Sequence, residues 1–196
     1  MNIGIILLAA GSSSRLGQSK QLVQFENKTL LRRTTEVALE TKPHNVVVVL
    51  GSDEPVHRQL IADLPVKIVY NKTWEKGMGN SLKTGLHHLL NLDPTVDAVI
   101  ILVCDQPYLK SENINSLITA FQSENIPIVA SAYDDIMGVP ALFGKSTFAS
   151  LGSLDDQSGA RKILRQYPIV KSVPFPQGRI DVDTPEDLLH LSVNRQ

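Results

Sequence analysis

Short, almost continuously apolar runs recur along this sequence and limit the folds that it can adopt. β-Branched residues are frequent in these runs, and helix-length segments separate most of them. A strand that is apolar on both faces must be buried on both faces, as in a largely parallel sheet covered by helices. The runs predict strands at 3–9, 45–50, 66–70, 98–103, 126–131 and 169–173. The sequence therefore predicts an α/β fold.

Segments with helical character lie between these runs. They predict helices at 29–40, 54–63, 80–90, 111–123 and 158–167, and a last helix that opens at the sequence TPEDL. Thr184 is suited to the N-cap of that last helix, with Pro185 at the first helical position and Asp187 three residues after the cap. The sequence contains no repeat, low-complexity tract or linker, so residues 1–196 are predicted to form a single domain.

The composition is that of an ordinary globular protein and argues against several kinds of partner. Of the 196 residues, 42% are hydrophobic and 20% are charged, and the formal net charge is −1. This balance offers no general attraction to nucleic acid or to a membrane, and no apolar segment approaches the roughly twenty residues that span a bilayer. Cys104 is the single cysteine, which argues against disulfides and cysteine-based metal sites. We therefore expect a cytoplasmic protein whose first ten residues form a strand and not a signal peptide.

The segment after the first predicted strand is poor in bulky side chains. Residues 10–20 read AGSSSRLGQSK. Ligands of open α/β sheets bind beyond the carboxyl ends of the strands, and exposed amides in a glycine- and serine-rich loop attract anions. Arg15 and Lys20 add the positive charge that phosphates require, although the spacing of Gly11, Gly17 and Lys20 is not that of a Walker A loop. The segment predicts a phosphate-binding loop, and the alternative is a solvated loop without a ligand.

The same segment carries a resemblance to a known family. LAAGSSSRLGQSKQL resembles the signature of the MobA-like nucleotidyltransferases, the group that contains molybdenum cofactor cytidylyltransferase. The similarity continues through CDQP at 104–107, GVPALF at 138–143, DDQSGAR at 155–161 and DVDTPEDL at 181–188. This resemblance implies a single-domain Rossmann-like three-layer sandwich with a mostly parallel mixed sheet, like that of the nucleotide-diphospho-sugar transferases. It also implies a reaction in which a phosphate of an acceptor attacks the α-phosphorus of a nucleoside triphosphate and releases pyrophosphate.

The resemblance assigns roles to residues of the first loop. Arg15 would hold the β- and γ-phosphates and Lys20 the α-phosphate, where negative charge grows in the transition state. The segment GMGNSLKTGL at 77–86 is expected to close over base and ribose, although helix capping alone would account for Ser81. The predicted nucleotide-binding residues are Ala9, Ala10, Gly11, Ser12, Ser13, Ser14, Arg15, Lys20, Gly79, Asn80 and Ser81.

Three aspartates are candidate ligands of a magnesium ion, which binds triphosphates through one or two protein carboxylates. Asp105 directly follows a buried run, so its side chain is expected beside the phosphate loop; a simple turn former is the alternative. Asp181 and Asp183 flank Val182 and would point the same way in an extended chain, whereas Asp183 alone could also cap the next helix. We predict Mg²⁺ as the cofactor, with Asp105, Asp181 and Asp183 as its ligands and with Lys20, Arg15 and Asp105 as the catalytic residues.

The same resemblance predicts the substrates. Ala10 follows the Ala-Ala-Gly form of the cytidylyl and uridylyl enzymes, which favours CTP over a purine nucleotide without separating CTP from UTP. A phosphate-bearing acceptor, above all molybdopterin or the molybdenum cofactor, would meet Gly138, Pro140, Gln157 and Arg161. Val139 and the sequence DQSG at 156–159 depart from the family pattern there, so a simple turn at Gly138 and a solvated cation at Arg161 are the alternatives. A transient contact with a molybdoenzyme or its maturation chaperone would follow from this acceptor.

Two other hypotheses fit the sequence. A transferase of the same superfamily that uses a sugar phosphate or another small acceptor would keep the loop and the aspartates. A non-catalytic nucleotide sensor belongs to a different class, but it would be expected to lose Lys20 or Asp105, and both are present. The histidines His57, His87 and His88 lack the spacing of metal ligands, and we expect them on helix surfaces.

Overall fold

The structure, a computed structural model, describes residues 1–124 and 126–193, in which strands and helices alternate. The strands are β1 (Ile3–Ala9), β2 (Gln24–Phe25), β3 (Lys28–Thr29), β4 (Asn45–Leu50), β5 (Lys67–Tyr70), β6 (Ala98–Val103), β7 (Ile128–Tyr133), β8 (Ile136–Gly144) and β9 (Lys171–Pro174). The α-helices are α1 (Leu30–Glu40), α2 (Glu54–Gln59), α3 (Met78–Leu92), α4 (Ser111–Ser123), α5 (Phe148–Gly152), α6 (Arg161–Gln166) and α7 (Pro185–Val193).

Seven of these strands form one mixed sheet, which is mostly parallel. Their order is β5-β4-β1-β6-β8-β7-β9, and β2 and β3 form a separate hairpin. Within the described sheet, β8 alone runs antiparallel to its neighbours β6 and β7. β1 is central to the parallel half, because Ile5 pairs with Val46 of β4 on one side and with Ile100 of β6 on the other. The chain turns from β1 to β4 and later crosses back to β6, so the strand order reverses beside β1.

Helices pack on both faces of the sheet, which produces three layers. Alternate residues of β1 point to opposite faces: Ile5 and Leu7 belong to the cluster that includes α1 and α4, and Ile6 belongs to the cluster that includes α3, α5 and α6. Burying one such side chain fully contributes about 1.5–3 kcal/mol relative to leaving it exposed. A third cluster joins the segment after β1 to α7 through Leu16, Val23, Phe25, Leu30, Val182 and Leu191.

The structure confirms the α/β prediction and corrects several of its elements. The strands predicted at 3–9, 45–50 and 98–103 and the helix predicted at 111–123 have those bounds. β8 and α5 were not predicted, α2 ends at Gln59 and not at residue 63, and α6 is shorter than the predicted 158–167. Thr184 precedes α7 as expected, and its backbone N–H donates to Asp187 Oδ2 at 2.7 Å. In the described part of the chain, no helix is both long and apolar enough to cross a bilayer.

Candidate active site

The candidate site lies where the strand order reverses, at the carboxyl ends of β1 and β6. These strands are parallel neighbours in register from Ile3 with Ala98 to Leu8 with Val103, so the segments that follow them leave the sheet side by side. Residues 10–23 follow β1 and residues 104–110 follow β6. Open α/β sheets bind their ligands at such a reversal, because the two segments diverge and leave a crevice between them.

Buried hydrogen bonds fix the segment after β1. The side chain of Gln21 is buried, and its Nε2 donates to the backbone oxygens of Ala9 at 2.8 Å and of Gly11 at 3.0 Å. Ser13 has a positive φ of 56°, and its Oγ accepts a hydrogen bond from the backbone N–H of Lys20 at 3.0 Å. The loop is thus folded back on itself, with its first and last residues held together.

Four charged side chains meet above this loop. Lys20 Nζ lies 3.0 Å from Asp105 Oδ2 and 2.6 Å from Asp183 Oδ1. Arg15 binds the other oxygen of Asp183 at 2.8 Å, from a side chain that is 73% exposed. The Lys20 side chain is only 16% exposed, so its ion pairs are shielded from solvent far more than the pair of Arg15. Asp183 therefore faces the site through its carboxylate, and the start of α7 is held by reciprocal hydrogen bonds between Thr184 and Asp187.

The ionisation of this cluster follows from its burial and its charges. Burial alone would lower the pKa of Lys20, but the charges of Asp105 and Asp183 and their hydrogen bonds outweigh it and raise the pKa above its ordinary value. For Asp183, burial opposes ionisation, yet the bonds from Lys20 and Arg15 leave its pKa below the usual range. Burial raises the pKa of Asp181, and the neighbouring charges of Asp105 and Asp183 raise it further. Lys20 and Asp183 are thus a charged pair at neutral pH.

The three aspartates suit a hard divalent cation by their chemistry. Among the described residues, no group of three or more histidine, cysteine, aspartate or glutamate side chains is already arranged as a metal site. Mg²⁺, however, needs only one or two protein carboxylates, and Asp105 and Asp183 already share one cation, the ammonium of Lys20. The raised pKa of Asp181 reflects its burial first and then the negative charge of its neighbours. This oxygen-donor set fits a divalent ion.

A cavity of about 330 Å³ opens beside the loop and Lys20. Its lining includes Ala9, Ala10, Gly11, Ser12, Lys20, Trp74, Ser81 and Asp105. Ser14 and Arg15 are exposed, and Ser13 is half-buried and bonded to the Lys20 backbone; none of the three lines this cavity. The structure thus brings many of the predicted nucleotide-binding residues into the lining of a single cavity.

Gly79 and Asn80 are placed differently from Ser81. A Cβ on Gly79 would collide with the backbone oxygens of Asp155 and Ser158, so the glycine permits close packing between two chain segments. The Asn80 side chain donates to Asp156 and accepts from Asn71, and neither Gly79 nor Asn80 lines the cavity. These two residues fasten the segment 155–161 to the start of α3.

A second cavity, of about 530 Å³, adjoins the first. Arg161 and Tyr133 line it together with apolar side chains of β1, β6 and β8, and the Arg161 guanidinium approaches the Tyr133 hydroxyl at 3.4 Å. Gly138 and Pro140 are buried within β8 and Gln157 is bound to the Lys76 backbone at 2.6 Å, so none of the three lines this cavity. Of the four predicted acceptor-side residues, Arg161 is the one that reaches it.

Asp105 belongs to the lining of both cavities. Leu8, Met78 and Val103 also line both cavities, so the two cavities form neighbouring compartments of one cleft. Lys20 lies in the smaller compartment and Arg161 in the larger one. A ligand in each compartment would therefore meet its neighbour beside the Asp105 carboxylate.

Three residues of the site were missed or misplaced by the sequence analysis. Gln21 supports the first loop, and Gln106 Nε2 ties the end of β6 to the backbone oxygens of Val139 at 3.0 Å and Gly178 at 2.8 Å. His57 is fully buried, which corrects the expectation of a helix-surface residue, and its Nε2 lies 2.7 Å from Ser19 Oγ. Gln21 directly follows Lys20, and Gln106 directly follows Asp105. This adjacency to predicted site residues is the sequence signal that could have indicated both glutamines. The burial of His57 depends on contacts 38 positions away in the chain and has no local signal.

Comparison with known proteins decides the family. Residues 5–171 match the family model described as the MobA-like NTP transferase domain. The chain belongs to this family. Its fold is the nucleotide-diphospho-sugar transferase fold, and membership supports nucleotidyl transfer as its chemistry.

Relatives extend over almost the whole chain. The purine catabolism protein PucB of Bacillus subtilis is 25% identical over 194 residues, which cover 93% of this chain and 92% of PucB. The nicotine blue oxidoreductase of Paenarthrobacter nicotinovorans is 28% identical over 201 residues, which cover 95% and 94% of the two chains. The two relatives are named after different processes, so their names assign no substrate to this chain.

Solved structures agree with the family. The crystal structure of Rv0371c from Mycobacterium tuberculosis has a TM-score of 0.82 and 26% sequence identity, with 97% of each chain covered. A second structure of Rv0371c is a complex with manganese and has a TM-score of 0.78 and 23% identity, with 97% of this chain and 98% of that chain covered. The latter shows that this fold occurs with a divalent metal.

Proposed function

We propose that this protein transfers CMP from CTP to the terminal phosphate of molybdopterin or the molybdenum cofactor and releases pyrophosphate. One observation carries the proposal: two compartments of one cleft meet at Asp105, with Lys20 in the smaller and Arg161 in the larger. A reaction between two anionic molecules needs a cation on each side and a shared boundary where the reacting atoms meet. This division also agrees with the family's chemistry.

The nucleotide would occupy the compartment beside the first loop. Gly11 and Ser12 line it and offer backbone to phosphates, because no bulky side chain covers them. Lys20 is held by Asp105 and Asp183, and its ammonium would turn towards the α-phosphate when the triphosphate binds. Arg15, which is largely exposed, can reach the outer phosphates without being displaced from a buried position.

A divalent metal, Mg²⁺ in our proposal, would be held by Asp105 together with Asp181 and Asp183. When bound, it neutralises charge on the triphosphate so that an anionic acceptor can approach. The manganese complex of Rv0371c supports a divalent ion in this fold. If Lys20 left Asp105 and Asp183 for the nucleotide, both carboxylates would become available to the metal.

The acceptor would occupy the larger compartment. Its apolar walls, which include Ile101 and Val139, suit an organic ring system, and Arg161 supplies a cation for the phosphate. Arg161 has no carboxylate partner within hydrogen-bonding distance among those that the structure describes, and Tyr133 supports it only weakly at 3.4 Å. A guanidinium left free in this way is suited to a phosphate of a ligand.

A pyrophosphate-release assay over a panel of substrates tests the proposal. The panel crosses CTP, UTP, GTP and ATP with molybdenum cofactor, a sugar 1-phosphate and methylerythritol phosphate. We expect CTP with molybdenum cofactor to react fastest, and a difference of roughly 3 kcal/mol in transition-state binding gives more than a hundredfold preference. Faster reaction of a sugar 1-phosphate would refute the acceptor but not the transferase. Tight nucleotide binding without pyrophosphate release from any pair would instead favour the nucleotide sensor.

Two arginines of α6 make the acceptor side testable by itself. Arg161 lines the larger compartment, and Arg165 lies one turn further along the same helix, exposed and outside both compartments. We expect Arg161→Ala to raise KM for the acceptor about tenfold or more with little change in KM for CTP. Arg165→Ala should leave both values unchanged. Equal effects of the two substitutions would remove Arg161 from acceptor binding.

A further inference from the structure

A chain of hydrogen bonds runs from the first loop into α2, and its direction can be assigned. Gln21 Nε2 donates both of its protons, to Ala9 O and Gly11 O. Gln21 Oε1 must therefore accept, and Ser19 Oγ lies 2.8 Å from it. The hydroxyl of Ser19 has only one proton to donate, and that proton is used on Gln21.

The last link of this chain is His57. Its Nε2 is 2.7 Å from Ser19 Oγ, and because the hydroxyl proton is already used, Nε2 must be the donor. The ring is fully buried, and among the residues that the structure describes its Nδ1 has no partner at normal hydrogen-bond distance and angle. The neutral tautomer with its proton on Nε2 satisfies this arrangement. Burial lowers the pKa of His57 and outweighs the opposing effects of Asp53, the Ser52 backbone and Glu54, which favours the same neutral ring.

The cost of this arrangement indicates what His57 does. A buried ring nitrogen without a partner is unfavourable, and an apolar side chain of similar size would fill the same space without that cost. What an apolar side chain cannot do is donate a proton to Ser19. The polar end of His57 thus contributes a hydrogen bond to the loop, which packing in the core does not require.

We propose that His57 is a positioning residue for the phosphate loop: through Ser19 and Gln21 it fixes the backbone of Ala9 and Gly11, on which the nucleotide phosphates bind. The hydrogen-bonded geometry of the loop stands by itself, and the expected kinetic effect rests on the proposed function. His57 itself touches no reacting atom. Its donor reaches the site through two intervening side chains.

The ring tautomer provides a first test. Nitrogen NMR shifts of the histidine side chains in the full-length protein distinguish a proton on Nε2 from a proton on Nδ1. We expect His57 to carry its proton on Nε2 at neutral pH. A proton on Nδ1 would overturn the proposal, because Ser19 would then have no donor.

Matched substitutions provide the second test. His57→Leu removes the donor at similar volume, and His57→Gln retains an N–H that can donate to Ser19. Ile61→Val, in the same fully buried region after α2, serves as a control that loosens packing without touching the chain of hydrogen bonds. We expect the amides of residues 11–20 to exchange with solvent roughly tenfold faster in His57→Leu, as for the loss of one buried hydrogen bond, and close to the original rate in the other two.

Kinetics then separate positioning from a general loss of structure. His57→Leu should raise KM for CTP about tenfold, leave KM for the acceptor within about twofold, and be rescued by glutamine. Unchanged exchange of residues 11–20 in His57→Leu, or equal effects of Ile61→Val, would overturn the positioning role. If the loop loosens as expected but the parent protein turns over no nucleotide, the positioning role stands and the proposed function fails.

Discussion

Replacing Lys20 by alanine is the most direct test of the site. The ammonium of Lys20 has two carboxylate partners, Asp105 at 3.0 Å and Asp183 at 2.6 Å, in a side chain that is 16% exposed. If the ammonium turns to the α-phosphate in the reaction, its removal deprives the transition state of a nearby positive charge. We expect turnover to fall by at least about a hundredfold while nucleotide binding weakens far less.

The magnitude follows from the Coulomb energy of such a contact. Two unit charges 4 Å apart interact with about 4 kcal/mol at an effective dielectric constant of 20, which suits a partly buried group. A hundredfold loss in rate corresponds to about 2.7 kcal/mol, or two thirds of that energy. The loss is therefore reached if the charge on the α-phosphate region grows by less than one full unit during the reaction.

The assay is single-turnover pyrophosphate release, with CTP binding followed by the fluorescence of Trp74. Trp74 is the single tryptophan of the chain and lines the nucleotide compartment, so its emission reports on binding there. Lys28→Ala is the matched control, because Lys28 is ion-paired with Glu36 at 2.6 Å but lies outside the cleft. Near-normal single-turnover rates in Lys20→Ala, or an equal loss in Lys28→Ala, would refute the role of Lys20.

Three other changes test separate parts of the structure. Activity should vanish on chelation of metal and return with Mg²⁺, and Asp105→Asn should need far more Mg²⁺ for the same rate; metal titrations that overlay would exclude Asp105 as a ligand. The pKa of buried His57 is lowered in the folded protein. As the pH falls below about 6.5, the ordinary pKa of histidine, His57 therefore takes up a proton in the unfolded chain before it does so in the folded one. The free energy of unfolding should fall between pH 7 and 5.5, by at most about 1.4 kcal/mol per pH unit, and less steeply in His57→Gln; identical slopes in urea titrations would contradict this. Gly79→Ala should destabilise the protein by about 1–3 kcal/mol, because its Cβ would collide with the Asp155 backbone, whereas Gly152→Ala meets open space and should not; equal unfolding midpoints would be inconsistent with this packing.

The parallel half of the sheet could be predicted from the sequence because its strands are apolar throughout. β1, β4 and β6 are buried along almost their whole length, so their runs stand out without knowledge of their neighbours. β8 does not stand out, because Gly138 and Pro140 interrupt it and it is preceded by another strand instead of a helix. Its place between β6 and β7 is decided by pairing with distant residues.

The charged part of the site was predictable for a related reason. Lys20 and Asp105 follow β1 and β6 in the chain, and parallel neighbours bring such residues to one edge of the sheet. The supporting residues were not predictable in this way. Gln21 acts through backbone oxygens about ten positions away, and Gln106 through oxygens of segments 33 and 72 positions further on. Such roles exist only after the whole chain has folded.

The bond between Lys20 and Asp183 joins residues 163 positions apart. A chain leaves the ribosome from its N-terminal end, so every strand of the sheet has emerged before residue 183 does. Until then Lys20 lacks its shorter ion pair and Asp105 has no second aspartate beside it. The order of synthesis therefore separates two stages: the strands of the sheet are made first, and the charged cluster can be completed only after residue 183 has been added.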